Sequence, residues 1–351
     1  MSIWMRCGQV PARECRYLAH GSSLLRSVHP TDGLQSPRPS TRKRSRPNGL
    51  RVPSGRVTSS NTSGDKATLD SAVAQTSRRV LLLVESEGAV FDTLSERHAK
   101  AYGPAFVERF AWGIDPVLCA HLWNHLALHS RLRGESPLLV LLYALRLLNR
   151  HTPSVRRSAV IRVLESYVAS PAPDPLILAA AGEGSPERLI LSWIVEAERL
   201  VDSLESPRYF EAAGSFLHSV KDSAPNATAL VYSSCQEASA LNMWEMAGLG
   251  DCFLRIAGAE RGDFPGYVQM ALANGYDQES VLVVGTTYSA WLAAQRAGTR
   301  LYPILPSQED ESWQFLKEVY FPAFLRGKAA FVDRDEREFV RMIFDDLDSG
   351  F

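Results

Sequence analysis

Glu85 and Glu87 stand where an apolar run meets a glycine turn, in the stretch RVLLLVESEGAVFDT spanning Arg79 to Thr93. Two carboxylates at this spacing suit acid–base and nucleophilic work. One attacks or abstracts a proton, and the other delivers a proton to the leaving group. Carboxylates so placed are also candidate ligands of a hard cation such as Mg2+. Further on, ALVYSS ends on Ser233 and Ser234, where a serine hydroxyl suits the cap of the helix that follows. LALHSRLRG carries Ser130 and Arg133, and a guanidinium matches phosphate or carboxylate geometry. His121, His125 and His129 recur every four residues. Histidines at that spacing can share a metal, but no HExxH glutamate or cysteine cluster accompanies them, so they read as one face of an amphipathic helix. Cys235 follows the two serines with no partner histidine in view, which argues against a thiol nucleophile. Asp92 and Asp263 are spare carboxylates beside the motifs, Asp92 reading as a cap or anchor of the loop.

These residues need strand ends to hold them. Val80–Val84 is apolar throughout, as a strand buried on both faces must be. Ala229–Tyr232, Phe253–Ile256, Val281–Val284 and Leu301–Leu305 repeat the signal, separated by helical patterns that end at Gly248, Gly275 and Gly298. Strand–helix–strand alternation with short glycine-capped connections predicts right-handed crossovers and a parallel sheet. Between the first strand and the second, about Ser95 to Phe216, the periodicity is helical. It is broken by Pro-rich turns such as SPAPDP at 170–175. The predicted architecture is therefore α/β: a Rossmann-like core over 77–94 and 217–351, with a helical cap inserted at 95–216.

The chain has 351 residues, 45% hydrophobic, and a formal net charge of −1 that is unevenly spread. Residues 1–64 hold eleven Arg and Lys against Glu14 and Asp32, so the remainder is distinctly acidic. That acidity argues against nucleic-acid binding by the folded part. No apolar run is long enough for a membrane span. Residues 1–76 are rich in Ser, Arg, Pro and Gly, and cannot bury enough apolar surface to fold. A cleavable transit peptide to a plastid or mitochondrion, a disordered basic tail of a cytoplasmic protein, and an over-extended start all have this composition. The five cysteines have no metal-binding spacing and suit a reducing compartment. The tryptophans are spread over helices and read as core or cap packing.

In the order and spacing of these pieces, the chain resembles the haloacid dehalogenase-like superfamily, mostly phosphatases with a Rossmann-like core and a helical cap. The family places its chemistry at four strand ends. Glu85 stands where the resemblance implies a nucleophilic aspartate, and Glu87 where it implies a general acid/base; Gly88 makes the turn. Ser233, with Ser234, matches the phosphate-binding Ser/Thr. The lysine expected after the third strand aligns with Phe264. The two acids that would hold Mg2+ after the fourth strand align with Thr286 and Ala290 in VLVVGTTYSAWLAAQRAG. LALHSRLRG, LYPIL and DESW are similar to segments of one bacterial-type subgroup, which implies substrate contacts for Ser130 and Arg133.

The departures bear directly on activity. Glutamate is longer than aspartate by one C–C bond, about 1.5 Å, and misplacing a reacting group by about 1 Å can cost on the order of 10²-fold. Loss of one electrostatic stabiliser commonly costs ~10²–10³-fold. The first expectation is a phosphatase-like protein that has lost efficient phosphohydrolase activity and binds a small phosphorylated or anionic metabolite, or a protein partner. The second is an active hydrolase using Glu85 as nucleophile and Glu87 as acid/base, with Mg2+ if active and these two glutamates its remaining candidate ligands. The third is a structural subunit of an organellar assembly.

Overall fold

The computed structural model describes residues 79–168, 181–327, 337 and 339–342. The N-terminal basic segment and the SPAPDP break lie outside the described residues. Strand β1 (Val80–Glu85) occupies the middle of a five-stranded, wholly parallel sheet. β2 (Ala227–Tyr232) and β3 (Arg255–Ala257) lie to one side of it, β4 (Val281–Gly285) and β5 (Arg300–Pro303) to the other, giving the order β3-β2-β1-β4-β5. The register pairs Glu85 with Tyr232 and Val84 with Val284, so the strand ends that carry the motifs are level.

The all-apolar strands follow from their neighbours. Val80, Leu82 and Val84 point into one hydrophobic cluster with Leu282, Val284, Phe216, Trp244 and Trp313. Leu81 and Leu83 point into another with Val281, Val283, Phe264, Val268 and Ala294. Alternate side chains leave opposite faces of a strand, and both faces are covered by helices, so no position of β1 tolerates water. Strand limits differ from the sequence reading by one or two residues, chiefly at β2, β3 and β5.

Between β1 and β2 the chain is helical. After α1 (Thr93–Arg97) and a π-helical turn at His98–Tyr102 come α2 (Gly103–Phe110), α3 (Pro116–Leu128), α4 (Pro137–His151), α5 (Val155–Val168), α6 (Pro186–Val201) and α7 (Glu211–Ser223). Asp115, Ser136 and Ser185 cap α3, α4 and α6 by accepting from Val117, Leu138 and Arg188 N–H groups, each with Pro in the first turn. That pairing of acceptor cap and proline suits a helix start. Residues from Leu94 to Ala197 bury a cluster of their own around Trp123 and Trp193. Ala213, Phe216 and Leu217 of α7 pack instead with the sheet. The expected cap boundary at 216 therefore falls inside a helix that belongs to the core packing.

After β2 follow α8 (Glu237–Met246), α9 (Phe264–Ala273), α10 (Tyr288–Ala297), α11 (Glu309–Phe315) and α12 (Phe321–Leu325). Among the described residues no helix is long and apolar enough to cross a membrane.

Candidate functional site

The loop after β1 is held from below by two buried indoles. Trp244 Nε1 donates to Ser86 Oγ at 3.0 Å, and Trp313 Nε1 donates to the Ala89 carbonyl at 2.7 Å. Gly88 turns the loop at φ +76°; a Cβ there would lie 2.5 Å from Leu94 Cδ1, so only glycine fits without strain. The result presents Glu85 and Glu87 in one interior, both under 7% exposed.

The two carboxylates face opposite partners. Glu87 reaches toward β2: Ser233 Oγ donates to its Oε1 at 2.7 Å, while the Ser234 N–H and hydroxyl donate to its Oε2 at 2.7 and 2.8 Å. Glu85 reaches toward β4: the Thr286 N–H donates to Oε2 at 2.8 Å and the Thr287 hydroxyl to Oε1 at 2.5 Å. Burial pushes the Glu85 carboxyl up to about 7, and the nearby Glu87 adds to this. The bonds from Thr287 and Thr286, and the charge of Arg133, only partly offset it.

Arg133 arrives from the turn between α3 and α4. Ser130 shapes that turn, its hydroxyl donating to the Leu126 carbonyl at 2.6 Å and accepting from the Leu132 N–H at 3.0 Å. Ser130 therefore orients the segment and is not among the groups bonded to the glutamates. Arg133 Nε donates to Thr286 Oγ1 at 2.9 Å and Nη1 to the Leu128 carbonyl at 3.1 Å. Its Nη2 lies 3.4 Å from both the Gly88 carbonyl and Glu309 Oε1. The guanidinium is 2% exposed, and its charge persists because arginine does not deprotonate in proteins. Gly134, at φ +78°, lets the backbone approach: a Cβ there would lie 2.6 Å from Thr287 Cγ2.

Phe264, at the position of the expected lysine, is fully buried and stacks on Tyr232, with centroids 4.7 Å apart and planes within 3°. Ala290 is buried in α10, its N–H donating to Thr287 Oγ1 at 3.2 Å. Asp263 caps α9 by accepting from the Gly266 N–H. Asp92 occupies the N-cap position of α1 but makes no capping bond through its side chain; the loop is anchored there by its backbone N–H on the Arg208 carbonyl. His121 and His125 are exposed on α3 and His129 is exposed at its C-cap, and the described residues group no metal ligands there. Glu309, Thr287 and the indole donors were not picked out by sequence reasoning. Thr286-Thr287 following an apolar strand was the available signal for the second; nothing local marks the others.

No family model matches the chain, and no curated protein matches it. Among solved structures, similar ones include a candidate beta-phosphoglucomutase from Thermotoga maritima, 16% identical over 68% of this chain and 99% of that one, at a TM-score of 0.39. A predicted phosphoglycolate phosphatase from Haemophilus somnus is 10% identical over 69% of this chain and 97% of that one, at 0.42. A HAD-superfamily hydrolase from Geobacter sulfurreducens is 14% identical over 65% and 88%, at 0.34. The likeness is one of fold. At these scores it is the groups gathered at the strand ends that bear on chemistry.

Proposed function

We propose that this is a phosphatase-like protein whose anion site is filled by its own Glu87 carboxylate, and that it has no efficient phosphohydrolase activity. The observation that carries this is the triple acceptance by Glu87 from Ser233 Oγ, Ser234 N–H and Ser234 Oγ. Those are the donors that the family resemblance reserves for phosphate. The extra methylene of glutamate lets its carboxylate reach those donors, and a buried acceptor so satisfied is costly to displace.

The donor set does not fit Mg2+, which asks for near-octahedral oxygen ligation. All four oxygens of Glu85 and Glu87 already accept bonds from the protein. Thr286 accepts from Arg133, Ala290 brings no donor, and a fixed guanidinium stands among them. A Glu85 carboxyl that is half protonated near neutrality, with both oxygens engaged, is also a poor nucleophile.

With the strand-end interior closed by its own groups, recognition of a protein partner is favoured over metabolite binding. The exposed Leu118, in a largely apolar cleft with Ile114, Leu122, Leu147 and Leu148, supports a partner surface on the helical layer.

The test uses the full chain, Glu85→Ala and Glu87→Ala. Across a phosphomonoester panel, with and without Mg2+, the wild type is expected to match the Glu85→Ala background. Glu87→Ala is expected to gain binding of inorganic phosphate, read by calorimetry, because Ser233 and Ser234 are released. Wild-type turnover that disappears in Glu85→Ala would overturn the proposal and make Glu85 the nucleophile of an active hydrolase.

A further inference from the structure

At the opposite end of the sheet, three metal-ligating side chains converge from segments that the sequence keeps well apart. His218 lies on α7, and Asp251 and Cys252 on the loop that leads into β3, where the Leu254 N–H donates to the Ala229 carbonyl. Cys252 Sγ is 3.3 Å from His218 Nδ1 and 3.9 Å from Asp251 Oδ1. One ligand atom from each of the three lies within 4.8 Å of the others. Around a tetrahedral zinc ion, with bonds of about 2.0–2.3 Å, ligand atoms stand roughly 3.3–3.8 Å apart. The cluster needs only small side-chain adjustment to reach that spacing.

We propose that His218 Nδ1, Asp251 Oδ1 and Cys252 Sγ form a binding site for a transition-metal ion of the zinc class, with its fourth position open to water. Three observations support it. The ligands are a thiol, an imidazole and a carboxylate, the mixture zinc accepts. The other carboxylate oxygen of Asp251 is paired with Lys221, so the carboxylate is already oriented, as outer partners of metal ligands commonly arrange. Cys252 is buried against the core while His218 and Asp251 face solvent, so the ion has both an entry path and an anchored floor. Burial and the neighbouring Asp251 push the Cys252 thiol up; a bound cation reverses that local balance and takes the thiolate. Such a site pins α7 to the β3 loop. It stands apart from the strand-end glutamates and does not depend on their role.

The experiment titrates the full-length, reduced, metal-free protein with Zn2+ against a chromophoric chelator, beside Cys252→Ser, His218→Ala and Lys221→Ala. The wild type is expected to hold one Zn2+ that both ligand variants weaken by more than tenfold and Lys221→Ala by about tenfold. Co2+ should give a thiolate-to-metal absorption band that Cys252→Ser lacks. At free Zn2+ a hundred times Kd, the unfolding equilibrium constant should fall about 100-fold, an effect absent from His218→Ala. Because His218 is exposed, that variant carries the test if Cys252→Ser does not fold. Zn2+ binding of undiminished strength in Cys252→Ser and His218→Ala, or no saturable site in the wild type, would overturn the proposal.

Discussion

Replacing Glu85 by glutamine should change how stability depends on pH, and the size of the change follows from its surroundings. The carboxyl is buried and pushed from its ordinary 4.5 up to about 7. A folded-state value above the unfolded one means that the folded protein binds the proton more tightly. Stability is therefore greatest below about pH 4.5 and falls as pH rises through about 7. At about 1.4 kcal/mol for each pH unit, the loss between pH 5 and pH 8 is roughly 2.5 kcal/mol. Glutamine mimics the protonated acid: its carbonyl can accept from the Thr286 N–H and its amide can donate to Thr287 Oγ1. Glu85→Gln should thus be near the wild type in stability at pH 5 and more stable by roughly 2.5 kcal/mol at pH 8. The half-buried Glu135, which burial also pushes up to about 7, is present in both proteins and cancels in the difference. The assay is urea unfolding at four pH values, with the difference in unfolding free energy plotted against pH. A difference that stays flat from pH 5 to pH 8 would refute the reasoning, because it would mean that Glu85 is ionised in the folded state throughout.

Arg133→Met should destabilise by about 3–5 kcal/mol, since it leaves Glu309 and several acceptors buried without their cation; urea midpoints check it, and a loss below about 1 kcal/mol would deny the guanidinium its central place. Gly88→Ala should cost about 1–3 kcal/mol through the left-handed backbone and the approach to Leu94, measured as a fall in Tm. Trp313→Phe keeps most of the ring but strands the Ala89 carbonyl, at about 1–3 kcal/mol. Its mark should be faster amide exchange in residues 86–91 relative to the rest of the sheet.

The sheet was legible because burial on both faces leaves a plain trace: Val80–Val84 and Val281–Val284 admit no polar residue. The turn at Gly88 and the helix stop at Gly298 were legible for the same kind of local reason. Glu85, Glu87, Ser233 and Arg133 were picked out as single residues, yet their pairing was not readable. Which serine meets which glutamate is decided by the levelling of β1 with β2, across 146 residues of chain. Glu309 enters the site from α11, of which only the DESW segment stood out by resemblance, and the indole of Trp313 looked like ordinary packing. The His218–Cys252 approach spans 34 residues and matches no spacing motif, because the helix and the loop meet only once α7 has packed on the sheet.

Glu87 has a consequence for how the protein responds to its surroundings. An anion delivered on a side chain competes as an intramolecular ligand, and tethering over so short a distance gives effective concentrations of millimolar or more. On the reading proposed above, a free phosphate ester at micromolar levels would have to compete with that tethered carboxylate. On the proposed reading, Ser233 and Ser234 keep their acceptor whatever the supply of such esters.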